Sequence, residues 1–292
     1  MNILTFDIEE WYIEKAYHGG RKEKYAQFDR LLEHILEVLD RNKTKATFFC
    51  LGKIAEEFPH VITRIASCGH EIGSHSYEHL WVNKMTPDEF RVDTKRAISA
   101  LEDVSGQKVV SFRAPAFSIG ESNKWAIEIL AESGIENDAS VFPGVRDFGG
   151  FPSFATGKPC HIEYNCIAIN EFPIPMCRLP IIDKSLAYSG GGYFRLLPLW
   201  FVKKQIGQSP YNMCYFHIND LLSEKSAFMS RNDFENYFKE PGTLRNRISR
   251  YVKSNIGRTN AVNNFDALVS SFPFTSIREY LSKERITIIT EI

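Results

Sequence analysis

The chain has 292 residues, 43% hydrophobic, 13% aromatic and 24% charged, and 35 Lys and Arg against 36 Asp and Glu leave a formal charge of −1. That apolar and aromatic content excludes a disordered chain, and the near-zero charge argues against a general nucleic-acid binder. The length suits one large α/β domain as well as two average ones.

Short β-like runs alternate with helical patterns through the first half, which predicts βα units around a largely parallel sheet. Residues 2–7 read as a buried strand, and 28–41 carry apolar residues at 28, 31, 32, 35, 36 and 39, the spacing of one helix face. A strand at 46–51, a helix at 60–67 and a short strand at 71–74 follow. A long helix at 87–104 opens on Thr86-Pro87-Asp88-Glu89, a capping box with proline at the first helical position. Next come a strand at 109–112 and a helix at 122–133, ended by Gly134. Residues 142–166 are a Gly/Pro-rich stretch too long for a plain connector, the kind of loop that walls an active site. A helix at 196–206, a strand at 213–217, an irregular stretch near 218–244 and helices at 263–271 and 276–282 complete the pattern. With no repeat and no linker composition, one domain over 1–292 is expected.

The opening MNILTFDIEEWY has no basic leader region and places acids at 7, 9 and 10, so no signal peptide is read there. The richest apolar run, LLPLWFV at 196–202, is far short of the roughly 18 residues of a membrane span. A soluble, cytoplasmic chain that is not an integral membrane protein is therefore expected. Six cysteines form no CxxC pair, which predicts reduced thiols and neither a zinc ribbon nor a disulfide scaffold.

Three clusters carry candidate chemistry. In GHEIGSHSYEHL, at 69–80, His75 and His79 are four apart, and one helical turn would bring the two imidazoles together on a shared metal. In TFDIEEWY, at the carboxyl end of the first strand, residues 7 and 9 of an extended chain share a face. Asp7 and Glu9 thus converge while Glu10 points away. FRAPAF at 112–117 and YFHIND at 215–220 set Arg113 and His217 just beyond buried strands, at the same rim. Each residue alone also fits a bland role: a solvated acidic turn, a salt-bridge arginine, a core histidine. Together they match the parts list of metal-assisted hydrolysis.

The order of these motifs resembles the polysaccharide deacetylase family, the NodB-like carbohydrate esterases of family 4. The matching segments are TFDIEE at 5–10, HSYEH at 75–79, RAP at 113–115, DASVFP at 138–143 and YFH at 215–217. SGGGYFRLLP at 189–198 and FTSIREYL at 274–281 resemble a subgroup associated with exopolysaccharide and O-antigen loci. The resemblance implies a distorted (β/α) barrel of about seven strands and hydrolysis of an N-acetyl group. It makes Asp7 the general base, Arg113 the residue that orients it, His217 the general acid, and His75 and His79 metal ligands. Pro115, Asp138 and Ser140 fall on the substrate groove. Ile8 stands where the familiar motif has a second Asp, so the third ligand comes from Glu9 or Glu10, and its facing favours Glu9. After His217 the chain reads Ile218-Asn219-Asp220 where the subgroup has Pro-Trp-Glu.

Two imidazoles and a carboxylate suit one divalent ion, zinc foremost, with iron, cobalt or nickel also accepted. The expected substrate is an acetamido sugar of a polysaccharide, an O-antigen or its cytoplasmic precursor, nucleotide-linked or lipid-linked. Hydrolysis of another linear or cyclic amide and a non-catalytic carbohydrate-binding role are the alternatives. RNRISRYVKSNIGR at 245–258 places Arg245, Arg247, Arg250, Lys253 and Arg258 together without an acid. As a helix it presents a basic stripe, either a solvated face or, through Arg247 and Arg250, a holder of a substrate phosphate.

Overall fold

The structure is a computed structural model and describes residues 1–145, 149–179, 184–225, 227–238 and 240–292. Its strands are β1 (Asn2–Ile8), β2 (Thr47–Cys50), β3 (Glu71–Ser74), β4 (Ser111–Phe112), β5 (Asn137–Asp138), β6 (Cys160–Tyr164), β7 (Ile167–Glu171), β8 (Met176–Leu179), β9 (Lys184–Ala187), β10 (Asn212–His217), β11 (Phe274–Thr275) and β12 (Ile289–Glu291). The main sheet runs β10-β1-β2-β3-β4-β5-β7-β6-β12, with β11 against the start of β1, and β8 and β9 form a separate pair. From β10 through β7 seven neighbouring strands are parallel, and β6 returns antiparallel beside β7.

Side chains reaching across the sheet reveal its curl. Arg113, just after β4, donates to Thr5 Oγ1 and Asp7 Oδ1 of β1, each at 2.8 Å. In a flat sheet three strand spacings would separate them by about 14 Å, beyond an arginine's reach. The Tyr211 hydroxyl, before β10, likewise donates to Pro173 O, after β7, at 2.9 Å, bringing the two ends of the parallel set together. The sheet is thus rolled into a distorted barrel of the NodB-like type. Alternation along β1 sorts its residues between two cores. Leu4, Phe6 and Ile8 pack outward against the helices, while Ile3 joins Phe49, Phe117, Ala139, Phe172, Met213 and Tyr215 inside.

Helices Lys22–Arg41, Pro59–Ser67, Pro87–Ser105, Trp125–Glu132, Ala261–Val269 and Ile277–Lys283 lie where the periodicity puts them, within a few residues except the first, which starts six residues earlier. The capping box forms: Thr86 Oγ1 accepts from Glu89 N at 3.3 Å and Glu89 Oε2 from Thr86 N at 2.7 Å. The helix expected over 196–206 is two, Gly191–Leu196 and Leu199–Gln208, because Pro198 between them cannot donate to an uninterrupted helix. The chain also turns directly after β1 into helix Glu10–His18, which the sequence reading left out. The loop expected at 142–166 contains β6, and the stretch near 218–244 holds helices Ile218–Leu221 and Arg231–Phe238. Positions 146–148, 226 and 239 of those two stretches lie outside the described residues. All six cysteines are free, and no helix among the described residues is long and apolar enough to cross a membrane.

Candidate metal centre

Strand β1 delivers Asp7 to the barrel interior, 2% exposed and level with His217 of β10 in the ladder. The backbone bends at Glu9, which caps helix Glu10–His18 with φ −134° and ψ −20°. That bend keeps Glu9 on the Asp7 side and sends Glu10 elsewhere. Glu10 Oε1 accepts from Asn219 N at 2.8 Å, and burial, reinforced by the charge of Glu9, pushes its carboxyl up to about 8.

His75 follows β3 directly, and its Nδ1 lies 2.7 Å from Arg113 O. A carbonyl oxygen only accepts, so Nδ1 carries a proton and Nε2 is the ring nitrogen that faces Glu9. His79 arrives by a route the spacing did not predict. Residues 75–79 form a bend rather than a helical turn, with Ser76 and His79 at positive φ of 71° and 62°. Two anchors hold that strained path: Tyr77 N donates to Asp93 Oδ2 at 2.9 Å and His79 N to Ser76 Oγ at 3.0 Å. The ring centroids of the two histidines end 5.4 Å apart.

Ligating atoms of Glu9, His75 and His79 all fall within 4.8 Å of one another. Glu9 Oε2 is 2.7 Å from His79 Nε2 and 3.7 Å from His75 Nε2, yet it is buried and accepts no hydrogen bond. Donor atoms that crowd together without bonding to each other share an aim point, and two imidazoles with one carboxylate form a donor set suited to a divalent ion. Burial works against the Glu9 charge, and His79 and His217 outweigh it, holding the carboxyl well below its ordinary range.

On the other flank, fully buried Arg113 donates through Nε to Ala139 O at 3.2 Å and stacks over Phe49 at 4.3 Å, which fixes the guanidinium on Asp7. His217 Nε2 lies 3.8 Å from Asp7 Oδ2 and 3.9 Å from Glu9 Oε1. Its Nδ1 meets Asp220 Oδ2 at 3.0 Å, and Asp220 in turn faces Arg195 at 3.5 Å. Burial works to discharge His217, and Glu9, Asp220 and Asp7 together outweigh it, so the imidazolium persists well above the usual histidine range. The sequence reading passed over Asp220, although an acid three residues past a strand-end histidine is a capping-box signal: His217 caps helix Ile218–Leu221 and Asp220 accepts from His217 N at 3.1 Å.

Asp7, Glu9, His75, His79 and His217 line one cavity of about 870 Å³, walled by Trp81, Phe117, Tyr237 and Phe238. Asp138 and Ser140, expected on its groove, are fully buried instead. Ser140 Oγ donates to Asp138 Oδ1 at 2.5 Å and accepts from Ala114 N at 2.8 Å, so the pair braces the turn after Arg113 from behind. Pro115, also expected there, is buried at the start of the 3-10 turn Pro115–Phe117, and its neighbours Ala114, Ala116 and Phe117 reach the cavity. A second cavity of about 1260 Å³ adjoins the first through Glu9, His217 and Asp220. Arg247 and Arg250 of helix Leu244–Asn255 line it with Arg195, Lys253 and Arg258. Arg250 borders both cavities, while Arg258 is 4% exposed and ties down Asn219 O and Leu222 O.

Residues 3–137 match the polysaccharide deacetylase family, and residues 139–282 match a family described as a domain of unknown function, DUF3473. The chain is similar to the peptidoglycan-N-acetylglucosamine deacetylase of Bacillus cereus, 40% identical over 95 residues, which cover 32% of this chain and 34% of that protein. The match thus spans about a third of that relative's length. Its fold is similar to the crystal structure of a candidate polysaccharide deacetylase from Mycobacterium smegmatis, with TM-score 0.61 and 20% identity over 99% of this chain and 92% of the other. It is also similar to a CE4 family pseudoenzyme from Bacillus anthracis, with TM-score 0.50 and 14% identity over 100% of this chain and 69% of that one. The two matched segments share one sheet, β10 of the second lying against β1 of the first. Residues 3–137, which match the polysaccharide deacetylase family, thus supply nearly all of β1 to β5 and all three converging donors.

Proposed function

We propose that this chain is a single catalytic unit, a metal-dependent hydrolase that removes an N-acetyl group from an acetamido sugar. The observation that carries the reading is the convergence of Glu9, His75 and His79 beside the Asp7–Arg113 pair, with His217 across the same cavity. A divalent ion on that donor set would supply Lewis acidity, polarising the acetyl carbonyl and acidifying a water. Asp7, aimed by Arg113, takes the proton of the attacking water. His217, kept cationic by Glu9, Asp220 and Asp7, donates to the departing nitrogen, which amide cleavage requires. The aromatic walls offer flat faces for a pyranose ring.

The second cavity supports a substrate class. Among its cationic side chains, Arg195, Arg247, Arg250, Lys253 and Arg258 fit a sugar of a polysaccharide, an O-antigen or a precursor that carries phosphate, on a nucleotide or a lipid. Arg247→Glu and Arg250→Glu then raise KM for a diphosphate-linked acetamido sugar by about tenfold, the effect shrinks as salt rises, and turnover of the neutral sugar is unchanged. A non-catalytic role is the reading to exclude, since the same fold is found in a pseudoenzyme. Here the base, acid and ligand candidates stand together. An acetate-release screen over nucleotide-linked, lipid-linked and free acetamido sugars tests the proposal. Release that disappears in Asp7→Asn while bound metal is retained supports it, and sugar binding without any release refutes it.

A further inference from the structure

Helix Leu244–Asn255 buries none of its residues, which is unusual for a helix beside a large cavity. One side lines the second cavity through Arg247, Arg250, Tyr251 and Ser254. The adjacent side presents Leu244, Ile248 and Val252, spaced by four and 60%, 47% and 45% exposed, with Ile256 continuing the row. Isolated exposed apolar residues are ordinary, whereas a row along one helix side is not. The row extends to a second segment. Arg195 NH1 donates to Ser254 O at 3.0 Å, and a Cβ on Gly257 would fall 1.9 Å from Arg195 O, so the two stretches touch backbone to backbone. Beside Arg195 stand the exposed Tyr193 and Leu196, and Trp200 follows at 67% exposure.

Charge identifies what covers this surface. In a chain of net charge −1, residues 184–219 and 241–265 contain no Asp or Glu. They hold the exposed Lys204, Arg245 and Lys253, none of which makes an ion pair among the described residues. In a symmetric contact between two copies these cations would face their own equivalents, and repulsion would oppose the apolar contact. A layer of anionic headgroups accommodates both features, with Leu, Ile, Val and Trp entering the acyl boundary and Lys and Arg held at the phosphates.

We propose that helix Leu244–Asn255, with the Tyr193–Leu196 and Trp200 surface beside it, docks the protein on an anionic lipid bilayer. The second cavity then opens at the membrane surface. Docking is independent of the deacetylase reading, because it is measured without turnover. The test is co-sedimentation of the full chain with vesicles of phosphatidylcholine alone and of phosphatidylcholine mixed equally with phosphatidylglycerol. The protein partitions onto the mixed vesicles and not onto the neutral ones. The double variant Ile248→Glu, Val252→Glu lowers that partition at least ~tenfold, with an unchanged circular dichroism spectrum. Arg245→Glu with Lys253→Glu, which leaves the apolar row intact, also weakens it and removes its salt sensitivity. Failure to bind mixed vesicles, binding that survives both double variants, or a dimer that dissociates in the Ile248→Glu, Val252→Glu protein would each overturn the proposal, the last in favour of self-association.

Discussion

Two neighbouring glutamates meet opposite environments within a single peptide unit. Glu9 is held ionised by His79 and His217 against its burial, whereas Glu10 is driven toward its neutral form by burial and by Glu9 itself. His75→Ala, His79→Ala and Glu9→Ala are each expected to strip the bound ion, measured as metal per chain after dialysis, because losing one of three ligands weakens such a site severely. Glu10→Ala leaves metal content near that of the wild type. His217 as the proposed general acid has its own signature. Asp220 touches His217 Nδ1 and helps hold the imidazolium above the ordinary histidine range. Activity that needs His217 protonated is therefore retained to a pH well above 6.5 and falls only as pH rises through the elevated pKa. Asp220→Asn removes one of the three charges responsible and moves that alkaline limb down by about one pH unit in a kcat/KM profile. An unmoved limb would take Asp220 out of the proton transfer.

Among the elements, the close approach of the 189–192 stretch to β10 sets the floor of the site. Gly190 bridges Tyr215, and a Cβ there would lie 2.0 Å from Tyr215 O and 2.7 Å from Tyr215 N, both rigid backbone. Tyr215 is two residues before His217, so any side chain at 190 displaces the strand that carries His217. Gly190→Ala should cost more than ~3 kcal/mol in denaturant unfolding and depress kcat as well. The element behind Arg113 behaves differently with pH. Asp138 and Glu171 are fully buried side by side; burial raises the Asp138 carboxyl to about 6, and burial with the Asp138 charge raises Glu171 further. Because Asp138 binds its proton more tightly folded than unfolded, its contribution to stability is complete below about pH 4 and is lost as pH rises through about 6. Asp138→Asn keeps an oxygen for Ser140 and gives Glu171 a donor. It should flatten that dependence, gaining roughly 1 to 3 kcal/mol over the wild type at neutral pH and little at pH 4. Parallel melting curves at the two pH values decide it.

Across the whole molecule, what was legible in the sequence was what local periodicity and strand alternation encode. The inward facing of Asp7 follows from the pleat, although a bend at Glu9 rather than continued strand keeps Glu9 beside it, and the capped helix Pro87–Ser105 follows from four residues. The pairing of His75 with His79 was read correctly as proximity and wrongly as a helical turn, because Asp93 and the helix Gly52–Glu57, distant in sequence, hold the bend. Burial of Asp138, Ser140 and Pro115 was likewise invisible, since it depends on how β5 and the turn after β4 pack behind Arg113. The basic stripe was readable as composition, but its division into a cavity side and an exposed apolar side required the packing of helix Leu244–Asn255 beside Arg195.

The barrel, its crossing arginine and the three converging donors support the proposal that amide hydrolysis here depends on an ion held by Glu9, His75 and His79. The most direct measurement is acetate release from an acetamido sugar by chelator-treated protein titrated with a divalent ion, run in parallel on the wild type, Glu9→Ala and Glu10→Ala. The expected result is silence without the ion, full recovery for the wild type and substantial recovery for Glu10→Ala at about one ion per chain, and none for Glu9→Ala. Acetate release that persists in the chelated protein, or that returns in Glu9→Ala but not in Glu10→Ala, would contradict it.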